Sequence, residues 1–426
     1  MSMAIFNYFG RKQSTMSSNN ESFDGFGKAY QEALKPIKNC NILVIGNTGI
    51  GKSTLIRAVT QSEVSQSITN KITPYTKAGL PITLYDTCGL EKDEKQRRQV
   101  KQKIADFIKQ NKQKEPKDHI HVVWYCVSAM LPRISEIDKK WISDLSKELP
   151  VILVVTRSLS QQYTRFQSEL EDINLPVRKI IPILAEQEVT DVGSVPAQGL
   201  ASLKTATEGL LDEVAKKATT YAVDNKGSQA VNLSIRYGLV ALGVRAVPIP
   251  IANTFVSSLL QSRMLEDISR VFGVKLEREL LQQVYTTELG ATGIISLFLE
   301  NIFKNLPNQN LPANELLANL AQIISFLPGN SPFEDYLVKM VSSFSEAIPG
   351  QLPIIGAVTN ISTALLVGLT AIAYIETLKD CKKAEYETGR PVSSSEILNK
   401  FEQKYKDILE WFQGGNSAWN WSTASV

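Results

Sequence analysis

The residues best suited to chemistry in this sequence lie in one glycine-rich segment. Residues 46–53, GNTGIGKS, match GxxxxGK[ST] between an apolar run typical of a strand and a run typical of a helix. Glycines let successive backbone N–H groups turn toward one anion, and a helix N-terminus adds its positive dipole end. We therefore expect bound phosphates, with Lys52 reaching the β- and γ-phosphates and Ser53 offering its hydroxyl to Mg²⁺. The predicted contacts are Gly46, Asn47, Thr48, Gly49, Ile50, Gly51, Lys52, Ser53 and Thr54.

A second motif follows the next apolar run. Asp86-Thr87-Cys88-Gly89 comes at the end of ITLYD and matches the pattern DxxG. By itself, an aspartate at a strand end is a common entry to a helix. Its order and spacing after a phosphate-binding segment favour a functional role for this carboxylate.

Together the two motifs resemble a known family. The strings IGNTGIGKST and LYDTCGLE are similar to the Era, septin and dynamin branch of the P-loop GTPases. The resemblance implies GTP or GDP and Mg²⁺ as cofactors, with Asp86 holding Mg²⁺ through water and the Gly89 amide sensing the γ-phosphate. It also implies that a threonine within residues 62–77 closes over Mg²⁺. Thr69 is preferred, and Thr73 is the alternative.

The segment expected to recognise the base departs from the family pattern. Family members use [NT]KxD, whose aspartate accepts hydrogen bonds from guanine, but here the apolar run VILVV is followed by Thr156-Arg157-Ser158-Leu159. Thr156 and the aliphatic stem of Arg157 are still suited to cover the base plane. Ala185, in LAEQ, resembles the loop whose backbone meets the guanine oxygen. Because leucine replaces the bidentate acceptor, the choice between guanine and adenine stays open.

The residues expected to support hydrolysis also depart from the family. Leu90 stands where Ras-like switches carry a water-orienting glutamine, and Gly49 stands where some Era-like proteins have a potassium-binding asparagine. Leucine cannot hydrogen-bond water, so we expect slow intrinsic turnover, raised by self-association or by a partner that inserts a polar group. The predicted catalytic residues are Lys52, Thr69 and Gly89, and the predicted metal ligands are Ser53, Thr69 and Asp86.

Five short apolar runs alternate with helix-length segments in the first half of the chain. They are NILVIG, ITLYD, HVVWYCV, VILVV and IIPIL. Continuous apolar strands separated by helices predict a mostly parallel sheet covered on both faces. The expected fold class is α/β, a P-loop NTPase G domain with flanking helices, followed by an all-α C-terminal domain.

The composition divides the chain into four parts. Residues 1–38 form a tail and an accessory helix, 39–218 the G domain, 219–413 a helical domain and 414–426 a flexible tail. The helical part resembles a domain of unknown function found behind Era-like GTPases in bacteria. A capping box at residues 393–396 predicts a last helix that ends before Gly414.

Charge and composition exclude several classes of protein. The chain has 426 residues and a formal charge of +3, too small to indicate nucleic acid, so no such partner is predicted. Four widely spaced cysteines do not resemble a disulfide framework and fit a reducing compartment. His119 and His121 are the two histidines, which leaves little for a metal site or a Ser-His-Asp triad. Their alternation predicts a strand face.

Two parts of the sequence, the N-terminus and residues 347–375, bear on contact with a membrane. The N-terminus places apolar residues before basic ones, the reverse of a secretory signal, so no export is predicted. Residues 347–375 carry no charged side chain and are long enough to span a bilayer, although prolines and glycines interrupt them. A spanning helix, a buried helix and a membrane-surface segment all stay open. The expected location is the cytoplasm, with peripheral or inserted membrane association undecided.

These observations support two main hypotheses. The first is a GTP-binding, slowly hydrolysing switch whose nucleotide state controls the helical module. That module would act on a membrane surface, on a protein partner, or on a second copy in a homodimer formed through the G domain. The second is a nucleotide-binding scaffold or membrane-interaction protein with little hydrolysis. A P-loop enzyme that uses ATP is the third alternative.

Overall fold

The structure is a computed structural model that divides into two compact units, Met1–Ala218 and Thr219–Val426. It describes residues 33–64, 71–87, 89, 94–131, 133–159, 166–167, 169–170, 172–190, 193–242, 255–277, 281, 312–326, 332–347 and 354–418. Each unit has its own core among these residues and is described by itself.

The first unit is built on a six-stranded sheet in the order β2-β3-β1-β4-β5-β6. The strands are β1 Cys40–Ile45, β2 Thr73–Thr76, β3 Ile82–Asp86, β4 Val122–Ser128, β5 Val151–Thr156 and β6 Lys179–Pro182. Strand β2 is antiparallel to β3, and every other neighbouring pair is parallel. The predicted α/β class with a mostly parallel sheet is confirmed.

Helices cover this sheet on both faces. They are α1 Lys52–Thr60, α2 Glu94–Lys112, α3 Glu136–Ser146, α4 Leu200–Glu208 and the start of α5 Leu211–Ala241. Because side chains alternate along a strand, each strand contributes to two cores. One core contains Ile42, Val44, Trp124, Cys126, Ile152 and Val154 with Leu55, Ile56 and Val59 of α1. The other contains Leu43, Val123, Tyr125, Leu153 and Val155 with Ile104 and Ile108 of α2 and Trp141 and Ile142 of α3.

Two smaller elements of this unit were not predicted. A short antiparallel hairpin, β7 Glu188–Thr190 and β8 Gly193–Val195, lies between β6 and α4. A single 3₁₀ turn, Pro116–Asp118, precedes β4. From the predicted accessory helix, Leu34 and Ile37 pack into the first core, whereas residues 1–32 lie outside the described part.

The two histidines connect the loop before β4 to the sheet. The backbone N–H of Asn41 donates to His121 Nδ1 at 2.9 Å, so the imidazole proton is on Nε2, which donates to the Pro116 carbonyl at 2.9 Å. Burial lowers the pKa of His121 to about 4. His119 Nε2 bonds the Lys114 carbonyl at 3.0 Å. These residues precede the first residue of β4, so the expected strand face is in fact an anchored loop.

The described residues of the second unit form helices and the short segments that connect them. Its helices are the remainder of α5, α6 Phe255–Phe272, α7 Ala313–Phe326, α8 Pro332–Ala347, α9 Ile354–Thr388 and α10 Ser394–Ala418. Ser393 caps α10 by accepting from the Glu396 N–H at 3.3 Å, as the capping box predicts. The expectation that this helix ends before Gly414 is wrong, because α10 continues to Ala418. Glycine weakens a helix by about 1 kcal/mol per residue without necessarily ending it.

Helix α9 contains most of the charge-free segment identified in the sequence. Residues 361–388 are long and apolar enough to cross a membrane, but 78% of the most apolar window is buried inside the structure. Its side chains share one core with α6, α8 and α10, and the Tyr374 hydroxyl lies 2.8 Å from that of Ser269 on α6. The described contacts therefore support the buried-helix interpretation of this segment.

Candidate nucleotide-binding site

The loop between β1 and α1 has the backbone shape that its glycines predict. Gly46, Gly49 and Gly51 have φ angles of 151°, 80° and 99°, which residues other than glycine rarely adopt. A Cβ at Gly46 would lie 2.5 Å from the Cys126 carbonyl oxygen, so the loop must pass directly over β4. Burial raises the pKa of Cys126 to about 12, so its thiol stays neutral beneath the loop.

Lys52 is enclosed by this loop. Its Nζ donates to the carbonyl oxygens of Gly46 at 2.9 Å and Asn47 at 3.0 Å, and the residue is only 7% exposed. It opens α1, whose first turn contains no acidic residue. The positive end of the helix dipole and a buried ammonium therefore point to the same small region, which suits an anion.

The other residues of the predicted phosphate segment lie around Lys52. Asn47, Thr48 and Gly49 are exposed, Ile50 is buried, and Ser53 and Thr54 in the first turn of α1 are half-buried. The structure thus brings the whole segment together at the carboxyl end of β1, where ligands of open α/β sheets bind.

Asp86 lies at the end of the strand next to β1. In the parallel register, Asp86 is opposite Val44. Among the described residues, its Oδ1 atom is buried and has no hydrogen-bond partner. Burial raises the pKa of this carboxyl, and the nearby Lys52 charge acts in the opposite direction. An unpartnered carboxylate oxygen beside the lysine fits a site that accepts a hydrated cation.

The chain after Asp86 is fixed to the sheet and then meets the phosphate loop. Thr87 is buried, and its hydroxyl donates to the Val44 carbonyl at 2.8 Å. Two residues later, Gly89 lies against Thr48. A Cβ at Gly89 would be 2.7 Å from the Cα and 2.9 Å from the Cβ of Thr48 and would also overlap its Oγ1. Only glycine fits this approach without a shift of the backbone.

Thr156 connects the end of β5 to the phosphate loop. Its hydroxyl lies within hydrogen-bonding distance of the Ile50 carbonyl and of the Val127 carbonyl, the latter at 3.0 Å, and its one proton is shared between them. A Cβ at Gly51 would contact Thr156 at 3.6 Å. Arg157 follows with a positive φ of 52° and an exposed side chain. The first residue of the predicted base segment therefore also holds the phosphate loop in place.

Ala185 lies in a loop connected to that base segment. The Ser158 N–H donates to the Ile183 carbonyl at 3.0 Å, and Leu184 and Gln198 exchange two backbone hydrogen bonds of 3.0 and 2.9 Å. Arg57 of α1 pairs with Glu186 at 3.1 Å. Both segments predicted to meet the base are therefore attached to each other and to the helix that follows the phosphate loop.

Two expectations cannot be placed in the structure. Thr69 and Leu90 lie outside the described residues. The alternative to Thr69, Thr73, begins β2 and is paired opposite Asp86. Sequence reasoning assigned no role to Thr87, Arg57 or Gln198, because their contacts join residues far apart in the chain and no local pattern reports them.

A glycine-rich loop that encloses a lysine, beside a strand-end aspartate on a mostly parallel sheet, defines a P-loop nucleoside triphosphate-binding domain. Residues 41–157 match the model of a family described as 50S ribosome-binding GTPase. This part of the chain is accordingly a GTP-binding G domain of the P-loop GTPase class. The match covers less than half of the chain. A comparison with curated proteins found no match.

Several solved structures are similar to part of this chain. A probable GTP-binding protein engB is 21% identical, with a TM-score of 0.30, over 41% of this chain and 99% of its own. The FeoB G-domain from Methanococcus jannaschii is 21% identical, with a TM-score of 0.27, over 41% and 98%. Toc33 from Arabidopsis thaliana, in complex with Mg²⁺ and GMPPNP, is 17% identical, with a TM-score of 0.29, over 46% and 94%.

Proposed function

We propose that this protein binds GTP with Mg²⁺, hydrolyses it slowly, and acts as a switch between its two nucleotide states. The observation that carries the proposal is the proximity of two charged groups, one at the start of α1 and one at the end of β3. Lys52 is enclosed by the phosphate loop, and nearby lies an Asp86 oxygen that has no hydrogen-bond partner among the described residues. Phosphoryl transfer requires a cation on the phosphates and an anion for the metal, and these residues provide both.

The phosphates would lie along the main-chain amides of residues 46–53. Lys52 would exchange its bonds to the Gly46 and Asn47 carbonyls for bonds to β- and γ-phosphate oxygens. The lysine side chain already points into the loop in the structure. Little reorganisation is needed for it to meet a phosphate, which favours binding.

Mg²⁺ would be held by Ser53 and by the bound phosphates, with Asp86 acting through a water molecule. Within the described ranges, no group of three or more His, Cys, Asp or Glu residues could hold a metal. This suits Mg²⁺, which usually keeps several waters and takes one or two protein ligands beside phosphate. When bound, the ion neutralises charge on the phosphates. We retain Thr69 as the ligand that closes over it.

The base would lie between the segments that follow β5 and β6. Thr156 and the stem of Arg157 would cover one side, and the Ala185 N–H would donate to the oxygen of a 6-oxopurine. Leu159 offers no acceptor for the base N–H groups. We therefore propose that GTP is preferred over ATP mainly through this oxygen, so that ITP, which lacks the 2-amino group, binds about as well as GTP.

Hydrolysis would be slow because leucine at position 90 cannot orient water. We propose that a second copy bound through the G domain, or another partner, supplies the missing polar group. The helical part would transmit the nucleotide state to a protein partner or to a membrane surface. We propose a cytoplasmic location, with peripheral membrane contact when the partner is lipid.

Fluorescent GTP, ITP and ATP titrated onto the full chain test nucleotide binding. We expect Lys52→Ala to weaken GTP binding about a hundredfold or more, because a charge-assisted contact to two phosphates is lost. Lys103→Ala, which removes an exposed lysine on α2, is the matched control. Equal or tighter binding of ATP would overturn the guanine preference.

Phosphate release measured at increasing protein concentration, with and without liposomes, tests hydrolysis. We expect turnover per molecule to rise with concentration or with the membrane. If phosphate release stays at the buffer baseline under every condition, the switch proposal fails and the alternative, a nucleotide-binding scaffold, is favoured.

A further inference from the structure

We infer that Thr48 contacts the nucleotide directly and sets the ratio of GTP to GDP affinity. Its hydroxyl would donate a hydrogen bond to the γ-phosphate, which GDP lacks. The inference rests on the proposed function and adds to it a residue that distinguishes the two nucleotides. Its basis is the contact between Thr48 and Gly89.

Thr48 is the point at which the phosphate loop touches the segment that follows Asp86. The three atoms nearest to a Cβ built at Gly89 all belong to Thr48. The neighbouring loop residue Gly49 has nothing within 4 Å of its own Cβ position. Within the described residues, the closest approach to Gly89 is therefore made by Thr48, and Gly49 makes no such approach.

A third phosphate must be accommodated beside this contact. The ammonium of Lys52, which reaches the β- and γ-phosphates in this class of loop, lies on the same loop. Asp86, Thr87 and Gly89 form the opposite side. A diphosphate needs contact with the loop alone, whereas the terminal phosphate of a triphosphate must touch both sides. Thr48 belongs to the loop and touches Gly89 on the other side, so its surroundings should differ most between the GTP-bound and GDP-bound states.

The Thr48 side chain is chemically available for this role. Thr48 is exposed, and within the described part of the chain its hydroxyl has no hydrogen-bond partner. A hydroxyl can donate to a phosphate oxygen, and hydrogen bonds to charged groups are stronger than those between neutral groups. As far as the described residues go, forming the bond with GTP therefore requires no other hydrogen bond of the Thr48 hydroxyl to be broken.

Affinities of fluorescent GTP and GDP, each with Mg²⁺, for Thr48→Val and Thr48→Ser test the inference. Thr48→Val keeps the shape of the side chain and removes the hydroxyl, so we expect GTP affinity to fall about tenfold and GDP affinity to change less than about twofold. Thr48→Ser keeps the hydroxyl and should restore the ratio found in the unmodified protein. Thr205→Val, the same change at an exposed position on α4, is the matched control.

Each other outcome contradicts the inference. Equal weakening of GTP and GDP by Thr48→Val would assign the residue to the shape of the loop. No change in either affinity would remove it from the site, and failure of Thr48→Ser to restore the ratio would show that the hydroxyl is not the cause.

Binding by the unmodified chain and by Lys52→Ala distinguishes failure of the proposed function from failure of the Thr48 inference. If the unmodified chain binds neither nucleotide, both proposals fall. If the unmodified chain binds both and Lys52→Ala binds neither, nucleotide binding stands and the Thr48 variants alone decide. Thermal unfolding of each variant shows whether it folds.

Discussion

At the scale of single residues, the site brings together charges of opposite sign, one at the start of α1 and one at the end of β3. Lys52 donates to two loop carbonyls, whereas one Asp86 oxygen is buried without a partner in the described structure. A buried carboxylate oxygen without a partner carries a desolvation penalty. Its position is explained if the missing partner is a water molecule of a bound cation.

Asp86→Asn should separate the effect of the metal from that of the nucleotide. With Mg²⁺ present, we expect GTP affinity to fall about tenfold or more, because the neutral amide holds the hydrated ion less well. In EDTA the sign should reverse, since removal of a negative charge near the phosphates favours binding. Fluorescent GTP titrations in the two buffers measure both effects.

Asp212→Asn, at an exposed aspartate paired with Lys216, is the control for this change. The Asp86 assignment would fail if Asp86→Asn weakened GTP binding equally with Mg²⁺ and with EDTA.

At the scale of elements, local patterns predicted the parts of the fold that depend on local physics. The parallel strands were predicted because strands buried on both faces must be apolar without interruption, as in VILVV. The phosphate loop was predicted because its glycines, lysine and serine are contiguous. Both signals are complete within a short stretch of sequence.

Other elements could not be predicted because their signals are weak or non-local. Strand β2, TPYT, contains a proline and has an exposed edge, so its only marker is the pairing with β3. The hairpin β7–β8 has three-residue strands with largely exposed side chains. The hydrogen bond between the Thr156 hydroxyl and the Ile50 carbonyl joins residues more than a hundred positions apart. Only the folded chain reveals such contacts.

The loop before β4 should give the first unit a pH-dependent stability. His121 is neutral in the fold because burial lowers its pKa from 6.5 to about 4, while the unfolded chain keeps the higher value. As the pH falls from 6.5 to 4, the unfolded state gains a proton that the folded state does not. The free energy of unfolding should therefore fall by up to about 3 kcal/mol across this window and then level off.

Urea denaturation at several pH values, followed through the transition that GTP shifts, measures this dependence. His121→Asn keeps an acceptor near the Asn41 N–H but cannot titrate. We expect it to be less stable at neutral pH and to lose part of the slope between pH 6.5 and 4. An unchanged slope would show that another group controls the effect, and His119, whose pKa burial also lowers, is the first candidate.

At the scale of the whole molecule, the chain divides into two units with separate cores. The glycine-rich loop and Asp86 lie in the first unit, and the long apolar helix α9 lies in the second. The sequence could not decide whether that helix meets lipid, because a core helix and a spanning helix have the same composition. Its packing with α6, α8 and α10 in one core favours the buried-helix interpretation.

We expect alkaline carbonate to release this protein from membranes prepared from cells that express it. The apolar side chains of α9 are already covered by other helices, so few remain to hold the chain in lipid. Immunoblots of the supernatant and pellet measure release, with a known integral membrane protein retained in the pellet as control. Retention of this protein in the pellet would mean that the helical unit opens and inserts.

The bridge between Leu184 and Gln198 has a practical consequence for the region it encloses. Two backbone hydrogen bonds join Leu184 and Gln198 on either side of the hairpin β7–β8, so these two residues keep their spacing whatever lies between them. The hairpin β7–β8, in which Val189 is largely exposed, is accordingly a tolerant region for insertion. A reporter peptide grafted there would leave Ala185 and α4 in register and give an experimenter a handle beside the nucleotide.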